Sequence, residues 1–139
     1  MKTLSILFAA IILTIAFCAC EKETTGTFSE SEPNNNFSTA NALTINDTYD
    51  AEINPVAEQD YFKITASGDV TLTVDGGDGL EVRVHVFDQH QIDFWGDDAG
   101  ERGAILTHTV SSSEYDGFFY VRVESAYGND TGIYTIKYQ

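Results

Sequence analysis

The stretch with the clearest chemical character covers positions 30 to 36 and reads ESEPNNN. Five of its seven side chains carry a carboxylate or amide oxygen, and Pro33 fixes one backbone φ angle. Oxygen-rich and locally stiff backbone suits a hard cation such as calcium, which takes about six to eight oxygen ligands. Glu30 and Glu32 lie two positions apart, so in an extended segment both carboxylates face the same side. The alternative is a solvated acidic loop without a ligand.

Composition limits the class of protein and the kind of partner. The chain has 139 residues, enough for one domain with a hydrophobic core. Its net charge of −15, from 22 acidic and 7 basic residues, excludes nucleic acid as an expected partner. An aromatic content of 12% is too high for a disordered acidic protein. We therefore expect one folded acidic domain.

The first twenty residues predict an export signal. Lys2 precedes an apolar run over positions 4–17, which is shorter than the ~20 residues of a membrane-spanning helix. The run ends in FCAC at positions 17–20, which resembles a bacterial lipobox with cleavage after Ala19 and lipidation of Cys20. An ordinary secretory signal and an uncleaved anchor helix are the alternatives. Both cysteines lie in this region, so no disulfide framework is expected in the domain.

These features predict three parts and a location. Residues 1–19 form a lipoprotein signal peptide, residues 20–29 a flexible tether, and residues 30–139 the folded domain. The protein would then be held in the bacterial cell envelope by an N-terminal lipid, with the outer membrane as the expected location and either the periplasm or the cell surface as the side it faces. The leaflet that carries it is not determined by the sequence.

From Thr48 onward the pattern is that of β-strands. Apolar and polar residues alternate in short segments separated by Gly, Asp, Asn and Ser, with about 8–12 residues per strand and turn. The predicted strands cover residues 48–53, 61–66, 70–74, 80–87, 91–95, 104–110, 118–125 and 132–138. A charged loop is expected over residues 96–103, and one helical turn over 37–43. This pattern predicts an all-β protein, a jelly-roll-like antiparallel β-sandwich of about eight strands.

Three blocks of sequence resemble the bacterial pre-peptidase C-terminal domain, a small sandwich with the fold of the collagen-binding modules of bacterial collagenases. The first block is ExEPNN at positions 30–35 with AxAL at 40–43. The second is DYFKI at 60–64, and the third is FYVRV at 119–123 with GxYTI at 132–136. The resemblance covers nearly all of residues 30–139 and implies an accessory module rather than an enzyme.

The resemblance also implies a calcium site. Carried over position by position, its ligands would be Glu30, Glu32, Asn34, Asn35 and Asp60. Some relatives have a further acid at the position of Ala57, and either Glu52 or Glu58 is a candidate replacement. Fewer charged ligands imply weaker calcium binding.

The resemblance further implies a ligand surface of aromatic residues on one sheet, where Tyr120 is the candidate. Motifs for hydrolases, metallopeptidases and nucleotide binding are absent from the sequence. We therefore expect no catalytic residues and a non-enzymatic, calcium-binding module for an extracellular protein or polysaccharide. One alternative is a structural envelope lipoprotein in which calcium only stabilises the fold. Another is an enzyme of unrecognised type.

Overall fold

The computed structural model describes residues 25–139, which form ten β-strands. The strands are β1 (Thr27–Ser29), β2 (Asn41–Ala42), β3 (Thr48–Ile53), β4 (Gln59–Thr65), β5 (Val70–Asp75), β6 (Val82–Phe87), β7 (Asp93–Asp98), β8 (Ile105–Val110), β9 (Phe118–Ser125) and β10 (Gly132–Tyr138). The first sheet has the order β1-β3-β10-β5-β8 and the second the order β2-β4-β9-β6-β7. The two sheets pack as a sandwich around one core, as predicted.

The core consists of the inward positions of the alternating strands. In β9 of the second sheet, Val121 and Val123 are fully buried, and in β10 of the first sheet Tyr134 and Ile136 are buried as well. Each buried aliphatic or aromatic side chain contributes about 1.5–3 kcal/mol relative to an exposed one. The alternation in the sequence predicts inward positions on five of the strands, namely Phe62, Ile64, Ala66, Val70, Leu72, Val74, Val82, Val84, Val86, Phe119, Val121, Val123, Tyr134, Ile136 and Tyr138. All of them are buried except Ala66, which follows β4 and is half-buried.

Two short strands correct the predicted architecture. The eight longer strands β3 to β10 correspond to the eight predicted segments, but β1 and β2 are additional. The sandwich is also not wholly antiparallel, because β1 pairs in parallel with β3 and β2 pairs in parallel with β4. Strands of two or three residues are too short to show an alternating pattern. β1 lies within residues 20–29, so the predicted tether ends before Thr27.

The predicted bounds of β7, the edge strand of the second sheet, were also wrong. A strand was expected over residues 91–95 and a loop over 96–103, whereas β7 covers Asp93–Asp98. Its acidic, mostly exposed residues carry no core alternation, because β7 is the edge of its sheet. Charged residues are common on edge strands, where they oppose pairing with other chains. Residues 37–39 form a turn, followed by β2 instead of continued helix.

The predicted signal peptide, Cys20 and the first part of the tether lie outside the described residues. Within residues 25–139, no helix is long and apolar enough to cross a membrane.

The core assignment can be tested on a single strand. Ile136 of β10 is fully buried, whereas Ile133 of the same strand is 67% exposed. Ile136→Val should lower the free energy of unfolding by about 0.5–1.5 kcal/mol because it leaves a small cavity. Ile133→Val is the matched control and should change it by much less. Chemical denaturation of both variants measures the difference, and equal effects would contradict the assigned orientation of β10.

Candidate metal centre

The segment over residues 30–36 bridges the two sheets at one end of the sandwich. At its start, the backbone N–H of Glu30 donates to the carbonyl of Asp50 on β3 at 3.0 Å. Further along, the carbonyl of Asn34 accepts a hydrogen bond from the N–H of Tyr61 on β4 at 2.9 Å. The segment is therefore tied to the first sheet at one point and to the second sheet at another.

Three carboxylates meet at this end of the sandwich. One oxygen each from Glu30, Glu32 and Asp60 lie within 4.8 Å of one another. Glu30 is half-buried and Glu32 is exposed, while Asp60, at the start of β4, is fully buried. The structure therefore brings together the three acids that the sequence predicted as metal ligands.

Asn34 completes the cluster with an unpaired oxygen. Its side chain is fully buried, and its Nδ2 donates to Glu30 Oε2 at 2.8 Å. Its backbone N–H donates to Glu32 Oε2 at 3.1 Å. Its Oδ1 is buried without a hydrogen-bond partner among the described residues. An unpaired buried polar atom costs about 1–3 kcal/mol, so this oxygen needs a donor or a cation.

Asp60 also has one paired and one unpaired oxygen. Its Oδ2 accepts a hydrogen bond from the hydroxyl of Tyr134 at 2.7 Å. Its Oδ1 is buried and has no hydrogen-bond partner within residues 25–139. An ionised carboxylate and an amide oxygen accept and cannot donate, so a positive ion bound at the cluster is a suitable partner for unpaired oxygens of this kind.

The electrostatics of the cluster oppose ionisation. The pKa of Asp60 is raised to about 8, mainly by burial and further by the nearby Glu30, Glu58 and Glu32, while the hydrogen bond from Tyr134 acts in the opposite direction. Burial also raises the pKa of Glu30, against the hydrogen bonds that its carboxylate accepts. The pKa of Tyr134 is raised well above its usual range, by burial and then by Asp60. A bound cation would favour the ionised forms of these carboxyls.

The remaining predicted ligand, Asn35, is placed differently. Its side chain is exposed, and its Nδ2 donates to Glu58 Oε1 at 3.0 Å. Glu58 Oε2 accepts from the backbone N–H of Asn54 at 2.6 Å. The backbone N–H of Glu52 donates to Glu30 Oε1 at 2.6 Å. Glu52 and Glu58 therefore hold the surroundings of the cluster together.

Sequence reasoning missed the role of Tyr134. The residue was predicted as an inward core position, and it is 1% exposed. A buried tyrosine hydroxyl normally needs a hydrogen-bond partner, and this general rule was the available signal. The partner is Asp60, so the core of the first sheet positions a carboxylate at the start of a strand in the second sheet.

The donor set is composed of oxygen only. Three carboxylates and one amide carbonyl suit hard divalent cations, whereas thiolate and imidazole ligands would indicate zinc or copper. Among the described residues, no other group of three His, Cys, Asp or Glu side chains converges in this way. The arrangement can therefore hold a hard cation through Glu30, Glu32, Asn34 and Asp60.

The candidate ligand residue Tyr120 lies on the outer face of the second sheet and is half-buried. Phe37, which directly follows residues 30–36, packs edge-on against Tyr120, Tyr61 and Phe87. The centroid of its ring lies 4.8–5.2 Å from the centroids of these three rings. Tyr120 is therefore part of an aromatic cluster that Phe37 contacts. Lys63 lies 3.9 Å from the ring centre of the adjoining Phe118, a favourable cation–π contact.

Comparison with known proteins agrees with the architecture. No family model and no curated protein matches the chain. Among solved structures, the chain is similar to the pre-peptidase C-terminal domain of the collagenase from Bacillus anthracis, with a TM-score of 0.56 and 14% sequence identity. The match covers 72% of this chain and 94% of that domain. The sandwich thus has the fold of a pre-peptidase C-terminal domain, as the sequence motifs predicted.

Proposed function

We propose that this protein is a non-catalytic accessory module that binds calcium at Glu30, Glu32, Asn34 and Asp60 and is anchored in the cell envelope. The observation that supports it best is the convergence of three carboxylates, together with the buried, unpaired Oδ1 atoms of Asp60 and Asn34. Calcium accepts irregular all-oxygen coordination, whereas magnesium demands a stricter octahedron and keeps its waters. Calcium would supply positive charge to an otherwise repulsive cluster.

The bound ion would have a structural role, linking the N-terminal segment to both sheets. Glu30 follows β1 directly, and its carboxylate accepts from the N–H of Glu52 on β3. Asp60 is the second residue of β4 in the other sheet. A cation bound by both residues would therefore fasten the N-terminal segment to the two sheets together. The N-terminal segment and the two sheets would then keep a defined orientation to one another.

Titration calorimetry of the full chain tests the calcium proposal. Calcium should bind with measurable heat, and magnesium should bind more weakly. Hydrogen exchange provides a second measure, because chelation should reduce the protection of the Glu52 and Tyr61 amides that tie down the segment. The absence of calcium heat, together with unchanged protection, would reject the metal centre.

The partner would be an extracellular protein or polysaccharide. The similar solved domain belongs to a collagenase, which makes collagen a reasonable first protein to test. Sedimentation of the protein with insoluble collagen and with insoluble polysaccharides, in calcium and in chelator, would measure this binding. The alternative is a structural envelope lipoprotein, and the lack of any partner alongside a calcium-stabilised fold would favour it.

A separate prediction concerns the membrane anchor. Expression in a Gram-negative host should give a membrane-associated protein whose mature N-terminus is an acylated Cys20. Cys20→Ala should block processing or release the protein, while Cys18→Ala should leave acylation intact. Mass spectrometry of the N-terminal peptide distinguishes these forms. An unmodified N-terminus in the soluble fraction would contradict the lipoprotein assignment.

A further inference from the structure

A row of polar side chains crosses the outer face of the second sheet. In register across four strands lie Gln59 of β4, Glu124 of β9, Arg83 of β6 and Asp98 of β7. Neighbouring strands are about 4.8 Å apart, so the row is about 14 Å long. It alternates an amide, a carboxylate, a guanidinium and a carboxylate, all of which form directional hydrogen bonds.

Two shallow hollows lie along this row and meet at Arg83. One, of about 230 Å³, is lined by Gln59, Glu124 and the exposed Tyr127 among others. The other, of about 220 Å³, is lined by His85, Gly96 and Asp98 among others. A side chain at position 96 would clash with the imidazole, since an added Cβ would lie 2.7 Å from His85 Nδ1. The two hollows, which adjoin at Arg83, are together called the groove.

The polar groups along the groove are held in place by their neighbours. Glu124 Oε2 accepts from Gln59 Nε2 at 2.6 Å and lies 3.4 Å from Arg122 Nε. Arg83 donates from Nε and Nη2 to the two carboxylate oxygens of Asp98, at 2.5 and 3.1 Å. Such paired contacts fix side-chain rotamers before a ligand arrives, which lowers the entropic cost of binding.

One carboxylate oxygen at the centre of the groove has two nitrogen donors nearby that are too distant for a direct hydrogen bond. Glu124 Oε1 lies 4.0 Å from Arg83 Nη1 and 3.9 Å from His85 Nε2. Both separations exceed hydrogen-bond length. A hydroxyl oxygen beside these atoms can lie within hydrogen-bond distance of both, donating to Glu124 and accepting from Arg83. The spacing therefore matches the donor and acceptor properties of a hydroxyl group.

One end of the groove carries an exposed aromatic ring. Tyr127 is 66% exposed, unusual for a large aromatic side chain. Its ring offers a flat apolar surface beside the polar row, and burial of that surface by a ligand would be favourable. A sugar ring has an apolar C–H face and hydroxyl groups at its edge, so it can contact the aromatic ring and the polar row together.

The charge of the groove excludes acidic ligands. Asp97 and Asp98 border one hollow and Glu58 and Glu124 the other, on a chain with net charge −15. A polyanion would be repelled by this surface. The guanidinium of Arg83 is already paired with Asp98, so little free positive charge is available.

We propose that this groove binds a neutral oligosaccharide chain laid across strands β4, β9, β6 and β7. The inference rests on the proposed role as a binding module and names its site and ligand class. Glu124 and Arg83 bind a hydroxyl at the centre, and Tyr127 stacks on a sugar ring at the end. The acidic rim favours neutral over acidic polysaccharides.

The full chain in calcium-containing buffer should bind at least one of cellohexaose, chitohexaose, xylohexaose and mannohexaose in titration calorimetry. Binding should be nearly independent of salt, because the ligand has no charge. Arg83→Met, Glu124→Gln and Tyr127→Ala should each weaken the affinity about tenfold or more. Lys137→Met is the control, since it also removes an exposed positive charge but lies on β10 of the other sheet. It should change the affinity by less than twofold.

Melting temperatures of the variants establish that each is folded. Lack of binding to all four hexaoses would overturn the proposal, as would binding only to oligogalacturonate or to a basic peptide. Equal affinity of the Arg83→Met, Tyr127→Ala and unmodified chains would also overturn it, because the sugar would then bind elsewhere. Binding to insoluble collagen without any hexaose binding would reject the groove and leave the accessory role standing. Failure of the calcium titration would reject the metal centre independently of the sugar result.

Discussion

Calcium at a hundredfold excess over its dissociation constant should raise the free energy of unfolding by about 2.7 kcal/mol, because it binds the folded state and not the unfolded chain. For a domain of this size the melting temperature should rise by about 10 °C. The reason lies in the cluster of Glu30, Glu32 and Asp60, whose oxygens converge within 4.8 Å. Magnesium at the same concentration should give a smaller rise.

The variant Asp60→Asn should lose calcium binding while remaining folded, so it distinguishes the effect of the ion from a general loss of stability. The asparagine can still accept the hydrogen bond that the hydroxyl of Tyr134 donates to Oδ2. It also removes a carboxyl that the folded state has to keep mostly protonated at neutral pH in the absence of the ion, since the pKa of Asp60 is raised to about 8. In chelator the variant should therefore be as stable as the unmodified chain or more so. In calcium its melting temperature should no longer rise.

Two further variants complete the calcium experiment. Glu32→Gln replaces an exposed member of the cluster and should also reduce the calcium response. Asp97→Asn makes the same kind of charge change on the exposed strand β7, away from the cluster, and should preserve the response. Scanning calorimetry with calcium, magnesium and chelator measures all of them. If chelator leaves the melting temperature of the unmodified chain unchanged, the metal site is rejected and residues 30–36 form a solvated loop without an ion.

The sequence predicted the sandwich well where burial leaves a periodic pattern. Alternation identified strands such as β5, β6 and β9, because every second residue there faces the core. It failed for β1 and β2, which are three and two residues long and show no period. It also displaced β7, whose acidic residues reflect an exposed edge and follow no core alternation.

The cluster of Glu30, Glu32, Asn34 and Asp60 was predicted mainly from the family resemblance, which implied these residues as calcium ligands. The residue types and the two-residue spacing of Glu30 and Glu32 are compatible with that prediction. Their meeting point depends on how the N-terminal segment crosses from one sheet to the other, which local pattern does not encode. Asn35 shows the limit, because its amide bonds Glu58, a partner set by the loop before β4. The polar groove depends on register among β4, β9, β6 and β7 and was not foreseen at all.

The stability of the protein in chelator should fall as pH rises from about 4 to about 8. Asp60 has an ordinary pKa of 3.8 and a folded-state pKa of about 8, caused first by burial. Between these values the folded state keeps a proton that the unfolded chain has lost, so stability decreases with pH. The slope approaches 1.36 kcal/mol per pH unit, and the total is on the order of 5 kcal/mol. The raised pKa of Glu30 acts in the same direction.

Comparison with Asp60→Asn isolates this contribution, because the variant cannot titrate at position 60. His108 has a pKa lowered by burial, which acts in the opposite direction near its ordinary value of 6.5, but it is present in both proteins. Urea denaturation in chelator at several pH values should give a steeper decline for the unmodified chain. Saturating calcium should abolish that difference in slope, because the cation favours the ionised carboxylate and binds more tightly as pH rises. Equal slopes for the two proteins in chelator would show that Asp60 is ionised in the folded state without the ion.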